Sequence, residues 1–225
     1  MRIFETKSKW VAWIAASLLA FSVGSAMAAP PMQVTCGSAI TAPGQYVLMA
    51  DCMGAGIVIT NTSDVHLKLN GHTMTGNGLP AGIGASNVSH VHIEGPGTIR
   101  SYIMGIFFGT VSDSHVEQVT VINNGVGLTL TQQTTNTHVN NSVFSMNATG
   151  GIHGDSRTSD NHLNNNQVIN NNSFGILLDS GATNYHINGN TALGNYVDLA
   201  DGNPNCDDNK WNGNTFVTAS QPCIH

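Results

Sequence analysis

The sequence predicts an all-β, single-domain parallel β-solenoid of about seven coils, and three observations lead there. First, a Gly-aliphatic dipeptide recurs at Gly56-Ile57, Gly82-Ile83, Gly105-Ile106, Gly127-Leu128, Gly151-Ile152 and Gly175-Ile176, with Tyr196-Val197 as a degenerate seventh; the spacings are 26, 23, 22, 24, 24 and 21 residues. Second, a His-aliphatic pair follows about ten residues later in six units: His66-Leu67, His92-Ile93, His115-Val116, His138-Val139, His162-Leu163 and His186-Ile187. Third, the stretches between anchors ("GIVIT", "GIFFG", "GLTLT", "GILLD") alternate with period two and are separated by Asn/Gly/Ser clusters, with no helical period. A short repeat of two or three strands and no helix is one coil of a stacked parallel sheet. Leucine-rich repeats have a similar length but need an L-x-x-L-x-L pattern, which is absent.

In chain order, residues 1–28 read as a secretory signal peptide. They carry Arg2, Lys7 and Lys9, then an apolar run from Trp10 to about Val23, then the small-residue cleavage pattern Ala26-Met27-Ala28. A retained membrane anchor competes with this reading, and the small-residue end favours cleavage. The expected product is an exported protein, secreted or periplasmic, with no membrane span after cleavage. It keeps Lys68, Arg100, Arg157 and Lys210 against twelve acids, a net charge of −8. Such a surface repels polyanions and argues against nucleic acid and anionic membranes as partners. Residues 33–55 are expected to cap the first coil, 56–197 to form the coils and 198–225 to close the far end, because bare solenoid ends expose core and strand edges. The four cysteines allow three connectivities. They fall into local groups at the two ends, and export permits oxidation, so Cys36–Cys52 and Cys206–Cys223 are the expected disulfides.

Stacking gives the repeat its physical sense. Coils lie about 4.8 Å apart, so equivalent residues form columns. Ile57, Ile83, Ile106, Leu128, Ile152 and Ile176 form one inward column, each worth roughly 1.5–3 kcal/mol on burial. Asparagines at equivalent turns are placed to hydrogen-bond along theirs. The outward columns beside them are Val58, Gly84, Phe107, Thr129, His153, Leu177 and Asp198, then Thr60, Ser86, Gly109, Thr131, Asp155, Asp179 and Ala200. The His-aliphatic anchors place six imidazoles in a solvent-facing ladder, with Trp211 expected at the seventh position.

The stretch "VHLKLNGHTMTGNG" (65–78), the repeats, and the closing "DGNPNCDDNKWNGNTFVTASQPC" (201–223) resemble the bacterial right-handed parallel β-helix proteins of the pectate-lyase-like superfamily. The resemblance covers essentially the whole chain after the signal segment and implies a right-handed coil, in agreement with the crossover rule. It is weak for function, since that superfamily holds lyases, hydrolases, epimerases, adhesins and proteins without known activity. The hydrolases' N-T-D and G-H-G segments are absent, and the paired aspartates of "CDDN" (206–209) fall in the expected cap.

Three surfaces are candidate sites. "GIHGDSR" (151–157) sets His153, Asp155 and Arg157 beside Asp179 of the next coil. Two such carboxylates suit acid/base work on a glycosidic bond, or a shared hard cation such as Ca2+; the competing reading is that both simply satisfy turn amides. Phe107, Tyr185, Tyr196 and Trp211 offer aromatic faces to a polysaccharide or cell-surface glycan, and the negative surface favours neutral sugars. The ladder, His138, His162 and His186 in particular, offers imidazoles to Zn2+ or Cu2+, and some β-helix proteins of the resembled superfamily act in periplasmic copper maturation. The preferred reading is an exported, non-catalytic, glycan-interacting or structural monomer with no cofactor expected. The alternatives are a polysaccharide lyase or glycoside hydrolase using His153, Asp155 and Asp179, and a metal-binding protein using the histidine ladder.

Overall fold

Short alternating segments, each apolar on one face, bury that face by stacking on their own repeats. The computed structural model describes residues 30–225 and is a right-handed parallel β-helix with almost no helix. The expected signal peptide lies outside the described residues.

Each coil carries three strand segments. The Gly-aliphatic face stacks Ala39–Ile40, Ile57–Thr60, part of Thr73–Glu94, part of Thr98–Glu117, Val126–Thr131, Gly150–Gly154, Phe174–Leu178 and Val197–Asp201, giving eight rungs. The histidine face runs from Met32–Val34 through Gly44–Leu48 and Ser63–Lys68 to Lys210–Asn212. The third face runs from Cys52–Met53 to Thr191–Leu193. Stacking thus continues through both segments expected to act as caps: residues 32–53 pair in register with the following coils, and Val197–Asp201 and Lys210–Asn212 pair with the preceding ones.

The core is a set of inward columns. Ile57, Ile83, Ile106, Leu128, Ile152, Ile176 and Leu199 are all fully buried and aligned. The last member corrects the expected register. Leu199, not Val197, continues the column, so Asp198 falls at the glycine position and is buried, while Ala200 stacks outward on Leu177. In the neighbouring outward column Gly202, not Ala200, follows Asp179.

Asparagine ladders close the turns. Asn124 N–H donates to Asn147 Oδ1, Asn147 N–H to Asn171 Oδ1 and Asn171 N–H to Asn195 Oδ1, at 3.0, 3.0 and 2.8 Å. Ser142, Asn166, Asn190 and Asn214 form a second such run. Each amide satisfies a backbone group that the turn would otherwise bury unpaired. Both expected disulfides, Cys36–Cys52 and Cys206–Cys223, are formed.

Candidate functional site

The expected carboxylate pair resolves into two separate contacts. Asp155 begins a tight turn: its carboxylate accepts from Thr131 Oγ1 on the preceding coil, the Arg157 backbone N–H (2.9 Å), Ser156 Oγ (3.1 Å) and the Arg157 guanidinium (3.3 Å). Burial acts to raise its pKa, but these donors outweigh it and hold the carboxyl far below the usual carboxylate range. A group held so firmly ionised is a poor general acid. Asp179 instead contacts His153, with Nε2 to Oδ2 at 3.0 Å. That is the only side-chain hydrogen bond His153 makes among the described residues, so no hydroxyl nucleophile is poised on this His–carboxylate pair. Arg157 is exposed and tied to Asp155. The group His153, Asp155 and Asp179 does not bring three metal-ligating atoms together.

The aromatic candidates divide. Phe107 stands on the outer face, half-exposed, and Tyr196 is 81% exposed. Tyr185 and Trp211 are corrections: they are 0% and 1% exposed and present no surface to a glycan. Tyr185 lies in the core with its hydroxyl donating to Thr158 Oγ1 at 2.7 Å, and burial pushes its pKa up. Trp211 pairs with Ile187, and its indole N–H donates to buried Asp201 at 3.0 Å. The outward seventh member of the histidine column is Lys210, which pairs with His186.

The six imidazoles do stack. Ring centroids lie 4.4 Å apart between His66 and His92, 5.7 Å between His92 and His115, 5.0 Å between His115 and His138, 4.4 Å between His138 and His162, and 4.9 Å between His162 and His186. Among the described residues, carboxylates bond directly to the ladder rings at one end only. His66 Nε2 meets Glu94 at 2.6 Å and His92 Nε2 meets Glu117 at 2.7 Å, each carboxylate coming from the next coil. Farther along, the column occupied by Glu94 and Glu117 continues as Asn140, Asn164 and Asn188.

This asymmetry bears on metal binding. His66, His92 and Glu94 put their ligand atoms within 4.8 Å of one another, the one such cluster among the described residues. Two imidazoles and a carboxylate, half-exposed, suit Cu2+ or Zn2+ in kind. Two features oppose the ion. The rings are parallel within 3°, so their lone pairs do not converge as they stand, and the Lys68 ammonium lies 3.2 Å from Glu94. The expected trio His138, His162 and His186 has asparagine where this cluster has its anion. Reading the ladder as histidine alone missed the cluster, although "HIE" (92–94) and "HVE" (115–117) carried the signal.

Among solved structures, the chain is similar to an alginate lyase from Paenibacillus sp. str. FPU-7 (13% identity, TM-score 0.56, covering 83% of this chain and 75% of that one). It is also similar to pectate lyase Pel9A (16%, 0.55, 73% and 47%) and to a mutant of the periplasmic alginate epimerase AlgG (15%, 0.52, 79% and 51%). These likenesses show the fold, and the chain spans about half the length of the latter two. Curated proteins give no significant match. The family described as "Periplasmic copper-binding protein (NosD)" matches residues 36–223 of the 225, so this exported, disulfide-bonded chain belongs to the NosD family.

Proposed function

We propose that the protein is a non-catalytic β-helix that works by binding a glycan at its surface. The observation that carries this reading is the fate of the two candidate carboxylates: Asp155 is consumed by Thr131, Ser156 and Arg157, and Asp179 by His153. Neither of these two carboxyls is left free to give up a proton while the other takes one, as two-carboxylate hydrolysis of a glycosidic bond on this face requires. Exposed Tyr196 and half-exposed Phe107 supply aromatic surface. The similar solved structures are named for alginate and pectate chemistry, which supports a saccharide as the ligand class without assigning one. The test is a panel of polysaccharides presented to the exported chain, scored for both binding and cleavage. Binding without turnover is expected; turnover that disappears in Asp155→Asn or Asp179→Asn sinks the non-catalytic reading and restores the enzyme.

A second reading, metal capture, is favoured by the cluster of His66, His92 and Glu94 and by the family's description. These three residues would hold the ion, and when bound it would supply a Lewis-acidic, redox-active centre at the protein surface. Removing the Lys68 ammonium from beside Glu94 favours a dication, so Lys68→Ala should bind Cu2+ several-fold more tightly and His92→Ala more weakly. Calorimetry with Cu2+ alone, together with the copper EPR signal, measures both. Equal affinity in all three proteins removes the cluster from consideration.

A further inference from the structure

The turn between the third face and the Gly-aliphatic face changes length along the axis, and the change opens a groove. In the coils carrying Asn124 and Asn195, one residue separates the ladder asparagine from the first strand position, Val126 or Val197. In the two coils between them, carrying Asn147 and Asn171, two residues do so, Ala148-Thr149 and Asn172-Ser173 before Gly150 and Phe174. Tyr196 occupies the one-residue turn where the longer turns stop.

The result is a groove of about 500 Å3 along the helix axis. Its floor is the ladder Asn147, Asn171 and Asn195. One wall is Met146, Asn170 and Gly194, and the other is Ala148, Asn172 and Tyr196. Spanning three coils, it runs about 10 Å along the axis, room for roughly two sugar rings.

The chemistry of the lining is uniform. The floor amides are spent: those of Asn147 and Asn171 each donate to a core backbone carbonyl and to the next asparagine of the ladder. Among the described residues the side-chain amides of Asn170 and Asn172, both exposed, make no hydrogen bond to protein. Each offers two donors and an acceptor. Gly194, at φ +73°, keeps the space over Asn170 open, because a Cβ there would come to 2.5 Å from the Asn170 amide oxygen. Met146 and Tyr196, 52% and 81% exposed, are apolar surfaces on opposite walls of the same groove. No lining residue is charged.

An exposed aromatic face beside unpaired amides in an uncharged groove matches a ligand with apolar C–H faces and many hydroxyls. We propose that this groove is a subsite for a neutral saccharide, with Tyr196 as the stacking platform and Asn170 and Asn172 as its hydrogen-bonding partners. The proposal rests on the glycan-binding reading above and deepens it by naming the place and the sugar class.

The test is binding of neutral and uronate oligosaccharides to the exported chain by glycan array and calorimetry, in the wild type, Tyr196→Ala, Tyr196→Phe, Asn172→Ala and Phe107→Ala. Neutral oligosaccharides should bind the wild type. Tyr196→Ala should weaken that binding about tenfold, while Tyr196→Phe, which keeps the ring, stays close to wild type. Asn172→Ala should weaken it by a smaller factor. Tyr196 and Asn172 are exposed, so an unchanged melting temperature separates lost binding from lost fold. If the wild type binds no glycan, this subsite and the broader reading both fall. Should Tyr196→Ala bind like wild type, or Phe107→Ala alone lose binding, the groove is wrong and the glycan-binding reading stands. Preference for uronates overturns the neutral class.

Discussion

At the scale of single residues, the anchor glycines do more than mark the repeat. A Cβ built on Gly127 would lie 2.5 Å from the Gly151 carbonyl oxygen, and one on Gly151 would lie 2.7 Å from that of Gly175. Each glycine therefore lets the next coil approach to hydrogen-bonding distance, and the column ends where Asp198 takes the position against Gly175. Parity explains the two aromatics that were misassigned. Tyr185 and Ile187 are two apart on one strand run and so share a face; a buried Ile187 requires a buried Tyr185. In the last coil Lys210-Trp211 replaces His-aliphatic in the same polar-out, apolar-in order, so the repeat was legible there once the histidine was read as "polar" rather than as histidine. Asp198 was misplaced for a different reason. The last turn is one residue shorter than the two before it, and an anchor without glycine gives no mark from which to count.

At the scale of an element, the histidine ladder is a stack of six imidazole rings with centroids 4.4–5.7 Å apart. Burial lowers the pKa of His115, His138 and His162, and the neighbouring imidazoles lower it further; Glu117 beside His115 and Asp160 beside His162 partly oppose this. A histidine whose pKa is depressed on folding takes up its proton more readily in the unfolded chain. Its contribution to stability is present above the unfolded value, about 6.5, and is lost as pH falls through the folded values. The melting temperature should therefore be lower at pH 5 than at pH 7.5, and His138→Gln with His162→Gln should flatten the difference. A thermal-melt series over that range in both proteins checks it, and an equal drop in the double variant would show that other groups titrate. The ladder itself was visible from sequence because its period is fixed. Its chemical polarity, glutamates at one end and asparagines at the other, stands in the residue two after each histidine; the His–Glu contacts themselves do not, because each crosses to the next coil and is set by stacking register rather than by neighbours in the chain. The groove at Tyr196 was hidden for a related reason: it arises from a difference in turn length between coils, which a search for what repeats does not detect.

At the scale of the whole molecule, a solenoid is held by nearest-neighbour contacts, and its two ends have only one neighbour each. Here the carboxyl end is closed by two buried acids in place of continued repeats. Asp198 accepts from the Asn195 backbone and amide and from the Val217 and Thr218 N–H groups at 2.9–3.1 Å, which terminates the asparagine ladder. Asp201 accepts from Trp211, Asn209 and Asn203 at 2.9–3.0 Å. Cys206–Cys223 closes a 17-residue separation across this same region, and Cys36–Cys52 a 16-residue one at the other end. Loops of that size correspond to about 3 kcal/mol each through the unfolded chain. Replacing Cys206 and Cys223 by serine should therefore cost about that much, and the loss should be local, because the middle coils keep both their neighbours. Hydrogen exchange on the variant is expected to show protection falling first in residues 197–225 and last in 105–154. A uniform loss along the chain would mean that the coils unfold as one block and that the far disulfide stabilises the middle as much as the end.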